Sequence, residues 1–159
     1  MRQSLLLISA LTLAAATPAL AQAPAFKNPP TLPPSPGWSQ LAEVPPGSKL
    51  VFISGQVAMD QSGRIVALSN FRGQAEQVFQ NLDRALRASG ATFKDVVKLT
   101  YYVLDVTQLP TLREVRDNYV NRAAPPTSTL VQVAALFTPG ILLEVEAVAV
   151  VPVAAPAAP

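Results

Sequence analysis

Two stretches, residues 50–57 and 141–150, carry apolar side chains at alternate and at intervening positions alike, broken only by Ser54, Gln56, Glu144 and Glu146 among a few small residues. Neighbouring side chains of a β-strand point to opposite faces, so strands of this kind need cover on both sides. Only two other stretches repeat with the helical period. In the first, Phe71, Ala75, Val78, Phe79, Leu82, Ala85 and Leu86 fall on one helix face, with Ser69 as the expected cap and Gly90 as the stop. The second spans residues 110–122, with Leu112, Val115 and Tyr119 on one face and Pro110 in its first turn. Pro125-Pro126 ends it. Each helix has one apolar face, so both are expected on one side of a single sheet. The second side of that sheet then has nothing of its own chain to cover it, and association through it is expected.

The remaining strands follow from the turn residues. Asp60-Gln61-Ser62-Gly63 reads as a turn, with Arg64-Ile65-Val66 returning as a hairpin partner of the first strand. Residues 95–104 are rich in β-branched and aromatic residues. Residues 128–134 and 141–150 are the last two strands, connected through Thr138-Pro139-Gly140. The expected order is β-β-α-β-α-β-β, an α+β domain over residues 38–151.

The chain ends read differently. Residues 1–21 have the form of a secretory signal: Arg2, a short apolar run, and Ala19-Leu20-Ala21 as a small-x-small cleavage site. The run is too short to span a bilayer. A periplasmic or secreted protein, with no membrane attachment after cleavage, is the expectation. Nine of the 16 prolines fall between Pro18 and Pro46, so residues 22–37 are expected to form an extended arm. Residues 152–159 are Ala, Val and Pro only and are expected to be a disordered tail.

Composition removes several chemistries. The chain has no His and no Cys. A Ser-His-Asp triad, a Cys nucleophile, a disulfide and a zinc site built on imidazole or thiolate are therefore excluded. The glycines have no phosphate-loop spacing and the acids no calcium-loop spacing. The 12 Lys and Arg balance the 10 Asp and Glu and are scattered, which gives no nucleic-acid surface. No cofactor and no metal are expected.

Four features remain as candidate chemistry. Glu144 and Glu146 lie two apart on a strand and share a face with Leu142, Val148 and Val150. They read either as carboxylates that hold a water in a pocket or as a structural ion-pair or edge feature. Ser54-Gly55-Gln56 closes an apolar strand, and reads either as a close backbone approach to a ligand or as a bulge. Thr127-Ser128-Thr129 reads either as a hydroxyl cluster or as ordinary strand entry. Trp38, the single tryptophan, reads either as a packing anchor or as a ligand platform.

Taken in order, several stretches resemble the Rid family, the reactive-intermediate imine deaminases also called YjgF-like proteins. They are Phe52-Ile53-Ser54-Gly55-Gln56, Asp60-Gln61-Ser62-Gly63, Gln77 with Asn81-Leu82, Ser89-Gly90, Val96-Val97-Lys98, Tyr119, and the run from Leu143 to Val150. The resemblance covers residues 38–151. It implies a chorismate-mutase-like fold, a mixed sheet with two helices on one face, and a homotrimer whose sheets form a barrel. It implies a small-molecule site in the clefts between subunits and cofactor-free hydrolysis of imines or enamines. By the same resemblance, Glu146 matches the acid that positions water, and Ser54 and Gly55 the strand end lining the cleft. Trp38 and Tyr102 match aromatic positions of the pocket. Thr127 stands where deaminases carry an Arg that forks onto the substrate carboxylate, a geometry and charge that Thr lacks. The expected function is thus an exported hydrolase of a small imine, enamine or related compound without that anchor. The alternative is a non-catalytic trimer that binds a small molecule or a protein.

Overall fold

Four strands form the central sheet of the computed structural model, which describes residues 23–151. The expected leader (1–21) and tail (152–159) lie outside those residues. A short ribbon, β1 (Ala25–Lys27) and β2 (Leu41–Glu43), precedes the sheet. Then come β3 (Lys49–Gln56), α1 (Phe71–Ala88), β4 (Val96–Val103), α2 (Leu109–Arg116), β5 (Thr127–Gln132) and β6 (Leu143–Val151). In space the order is β3-β6-β4-β5. β6 runs antiparallel to both neighbours, and β5 runs parallel to β4. The last strand of the chain is therefore central, and its acids are held between β3 and β4. This is the expected α+β architecture with a mixed sheet.

Strand alternation sorts the faces. Leu143, Val145, Ala147 and Ala149 of β6 and Leu99, Tyr101 and Val103 of β4 are buried. They meet Ala75, Val78, Phe79, Leu82 and Leu86 of α1, and Leu112 and Val115 of α2, in one apolar cluster. Phe79, Phe93 and Tyr119 close one end of it, with ring centroids 5.0–5.9 Å apart. Both helices thus serve one side of the sheet. On the other side Leu50 is 47% exposed and Phe52 is 74% exposed, and Val131 is also open. The described residues leave this face bare, as the count of helices required.

Several boundaries differ from the sequence expectation. The arm is not wholly unpaired: Phe26 registers with Ala42 in the ribbon, and Lys27 reaches Glu43 at 2.5 Å. Arg64-Ile65-Val66 is not a strand of the sheet. It makes one isolated bridge, Met59 with Ile65, because Asp60 folds the loop back on itself. The Asp60 carboxylate accepts from Ser62 Oγ, Arg64 N and Ser62 N, and these bonds hold it well below the ordinary carboxylate range. The cap of α1 is Asn70, not Ser69. Ser69 has φ +57°, whereas Asn70 is extended and its side chain accepts from Gly73 N. α2 ends at Arg116 instead of residue 122, where three-residue turns take over: Asn118 N donates to Val115 O and Tyr119 N to Arg116 O. That turn delivers the Tyr119 ring to Phe79 and Phe93.

Candidate active site

The bare face carries the acids. Glu144 and Glu146 are both partly exposed, between the buried Leu143, Val145 and Ala147 of the same strand. Beside them β3 has one residue too many: Ile53 pairs with Ala147 and Gln56 with Val145, so Ser54 and Gly55 share the place opposite Glu146. This bulge turns the end of the strand, and it explains Gly55 as well. A Cβ on Gly55 would stand 1.7 Å from Glu144 Oε1 and 2.7 Å from its Cγ. Gly55 is glycine because the Glu144 side chain lies across it. The close approach that the sequence suggested is made by the chain's own carboxylate.

Tyr102 and Thr100 flank the acids from β4, in register with Glu144 and Glu146 respectively. The Tyr102 hydroxyl donates to Glu146 Oε2 at 3.2 Å. Partial burial, then the Glu146 and Glu144 charges, push the Tyr102 phenol up, so at neutral pH it stays a donor. Glu144 is pushed up too, by burial first and by the Glu146 charge second.

A cleft of about 290 Å³ opens beside Glu146, lined by Phe52, Ser54, Lys98, Thr100 and Val148. Thr100 was not singled out from the sequence, and Lys98 only within the Val96-Val97-Lys98 stretch, with no place in the site. Their signal was present: residues 98, 100 and 102 alternate along one strand, in phase with Tyr102. Lys98 Nζ donates to Thr129 Oγ1 at 2.9 Å, and the residue paired with Lys98 across the parallel ladder is Thr127. The Thr127 hydroxyl donates to Val97 O at 2.9 Å, which leaves only its lone pairs for a ligand. Thr127 thus closes the β4–β5 ladder beside Lys98 and does not itself line the cleft.

Trp38 is not brought to this cleft within one chain. Ser39 pins the segment, donating from N to Pro126 O and from Oγ to Pro125 O. Trp38 lines a separate hollow on the helix side of the sheet, with Tyr101, Leu112 and Arg116. Of the residues singled out from the sequence, the structure gathers Glu146, Ser54, Gly55 and Tyr102, places Thr127 next to Lys98 but outside the cleft lining, and leaves Trp38 apart. Asn81, from the stretch around Leu82, holds elements together instead. Its Nδ2 donates to Val57 O and Met59 O and ties α1 to the end of β3.

Comparison with known proteins agrees with this geometry. The sequence pattern of the endoribonuclease L-PSP family matches residues 31–151. Protein DfrA of Myxococcus xanthus is 36% identical over 113 residues, which cover 71% of this chain and 84% of that protein. The 2-iminobutanoate/2-iminopropanoate deaminase of Mus musculus is 34% identical over 113 residues, 71% of this chain and 80% of that enzyme. Among solved structures, YyfB of Yersinia pestis, from the conserved Rid protein family, superposes with a TM-score of 0.70 at 31% identity, covering 80% of this chain and 98% of its own. RidA of Psychrobacter sp. PAMC 21119 gives 0.59 at 28% identity, covering 83% and 96%. With its family pattern, its relatives and its fold in agreement, this chain belongs to the endoribonuclease L-PSP family, the YjgF/Rid proteins.

Proposed function

We propose that this protein hydrolyses a small imine or enamine in a cleft on the bare face of its sheet, with Glu146 as the group that handles water. The observation that carries the reading is the Glu146 carboxylate itself, bonded by Tyr102 and open to a cleft bordered by the Ser54 and Thr100 hydroxyls. In the reaction, water oxygen bonds to the C=N carbon while Glu146 takes its proton. Glu146 returns that proton to nitrogen, giving a carbinolamine; the carbinolamine's hydroxyl proton then passes to nitrogen by way of the same carboxylate as the C=O bond forms, the C–N bond breaks, and ammonia leaves a carbonyl product. The relatives named as imine deaminases support the substrate class.

Two features shape the substrate. Thr127 provides no bidentate cation, so a carboxylate on the substrate has no fork to grip it. Lys98 supplies a single point charge at the cleft. The substrate we infer is a small neutral imine or enamine. The paired carboxylates also oppose a phosphodiester strand, which favours imine chemistry over RNA cleavage. We further propose that the bare face is covered by other copies in a trimer, so that the cleft lies between subunits, and that the leader expected over residues 1–21 exports the protein.

The test is ammonia release from imines generated in situ, half of them neutral and half carboxylated. Turnover of the neutral set, lost about 10²-fold or more in Glu146→Gln, is the expected result. No rate above background on either set overturns the reading. A second reading, a non-catalytic binding module, is favoured by Thr127 in the anchoring position. It requires stabilisation by a ligand that the Glu146→Gln change leaves intact, with no turnover.

A further inference from the structure

The hollow that receives Trp38 has the makings of a second ligand site. It lies on the helix side of the sheet, between α2 and the edge strand β5, and measures about 290 Å³. Its apolar walls are Trp38, Leu109, Leu112 and Leu130. Its polar groups are unusual for a packing defect. Tyr101 is only 2% exposed, and its hydroxyl has no hydrogen-bond partner among the described residues. Burial pushes the titration of that phenol far above the ordinary range, against the pull of the nearby Arg116 charge, so it stays a neutral donor. The Arg116 side chain is 11% exposed. Its Nε and Nη2 both donate to Asp117 Oδ1, at 2.9 and 2.6 Å, which leaves Nη1 without a partner among the described residues. Arg113, on the same wall, makes no ion pair among the described residues, while Asp117 is shared between Arg116 and Arg122. The charge around the hollow is net positive. Gly37, with φ +90°, lets the chain pass over the Arg116 guanidinium, where a Cβ would stand 3.3 Å from Nη2.

We infer that this hollow binds a small monocarboxylate bearing an apolar ring or branched chain, with Tyr101 and Arg116 receiving the carboxylate and Trp38 covering the apolar part. A buried donor that lacks an acceptor, beside a guanidinium with a free edge, is satisfied by an anion with two oxygens. The leucines and the indole suit a small apolar body, since sites of this kind are mostly apolar with a few fixed polar groups. The site is separate from the Glu146 cleft and does not depend on imine hydrolysis.

The chain supplies its own reporter, because Trp38 is the only tryptophan. The experiment is a titration of the full-length protein with phenylacetate, read as Trp38 emission excited at a wavelength where phenylacetate is transparent. The expected result is a saturable change, at least about tenfold weaker with the neutral isostere 2-phenylacetamide. Arg113→Gln, at an exposed helix position, is expected to weaken phenylacetate several-fold, and Tyr101→Phe likewise. Glu146→Gln is expected to leave the titration unchanged, which separates this site from the proposed catalytic cleft. The absence of a saturable change in the wild-type protein overturns the inference. So does equal binding of acid and amide, or binding indifferent to both Arg113→Gln and Tyr101→Phe.

Discussion

Gly55 and Glu144 form a pair in which each explains the other. The glycine has no room for a β-carbon because the glutamate stem occupies that place. Gly55→Ala is therefore expected to push Glu144 out over the cleft, at a cost to stability of about 1–3 kcal/mol by the usual scale of overpacking. Freed from its site, the Glu144 carboxyl should titrate in the ordinary range, which NMR of the side-chain carboxyls can read. The sign of its pH effect is also fixed. Burial and Glu146 raise its pKa in the folded state, so folding keeps the proton longer than the unfolded chain does. The resulting penalty is absent at pH values below the unfolded pKa, grows through the window between unfolded and folded pKa, and is full above it. Glu144→Gln should raise the melting temperature at pH 7 and leave it unchanged near pH 4, at or below the ordinary carboxylate pKa of about 4.3. An equal effect at both pH values would rule out a raised carboxyl as its origin.

At the scale of elements, α1 does more than cover the sheet. Gln74 is fully buried on its inner face, where its Nε2 donates to Gly140 O at 2.7 Å and its Oε1 accepts from Leu142 N at 2.9 Å. It ties the entry of β6 to the helix and so sets the level at which Glu144 and Glu146 emerge. Gln74→Ala strands both backbone groups and should cost about 2–4 kcal/mol, two buried hydrogen bonds at the usual penalty, measurable by urea unfolding. Much of this level was legible in the sequence. The period of α1, the two-faced strands and the phase of the acids on β6 each follow from spacing alone. What was not legible depends on side chains meeting across the fold or on local backbone geometry. The Asp60 bonds that keep residues 64–66 out of the sheet are set by the local turn, and Asn70 displaces Ser69 as cap because Ser69 adopts a left-handed backbone. The position of Trp38 depends on Ser39 finding Pro125 and Pro126, 86 residues away for the side-chain bond. The buried Gln74 gave no sequence signal, since polar residues on a helix are ordinarily outside.

For the whole molecule, the bare face is decisive. Leu50, Phe52 and Val131 lie open around the acids, and large exposed apolar patches mark surfaces that meet a partner. A second copy of the chain fits that need, because every copy carries the same uncovered face. Leu50 does not line the cleft, so Leu50→Lys should separate the copies while leaving the folded chain and its acids in place. Both properties meet in the specific rate of ammonia release from neutral imines, taken on wild type and Leu50→Lys whose masses are read by sedimentation on the same samples. Wild type should be an active trimer, and Leu50→Lys a folded monomer slower by an order of magnitude or more. A wild-type chain that sediments as a monomer, or a monomeric variant as fast as wild type, would refute a site built between subunits.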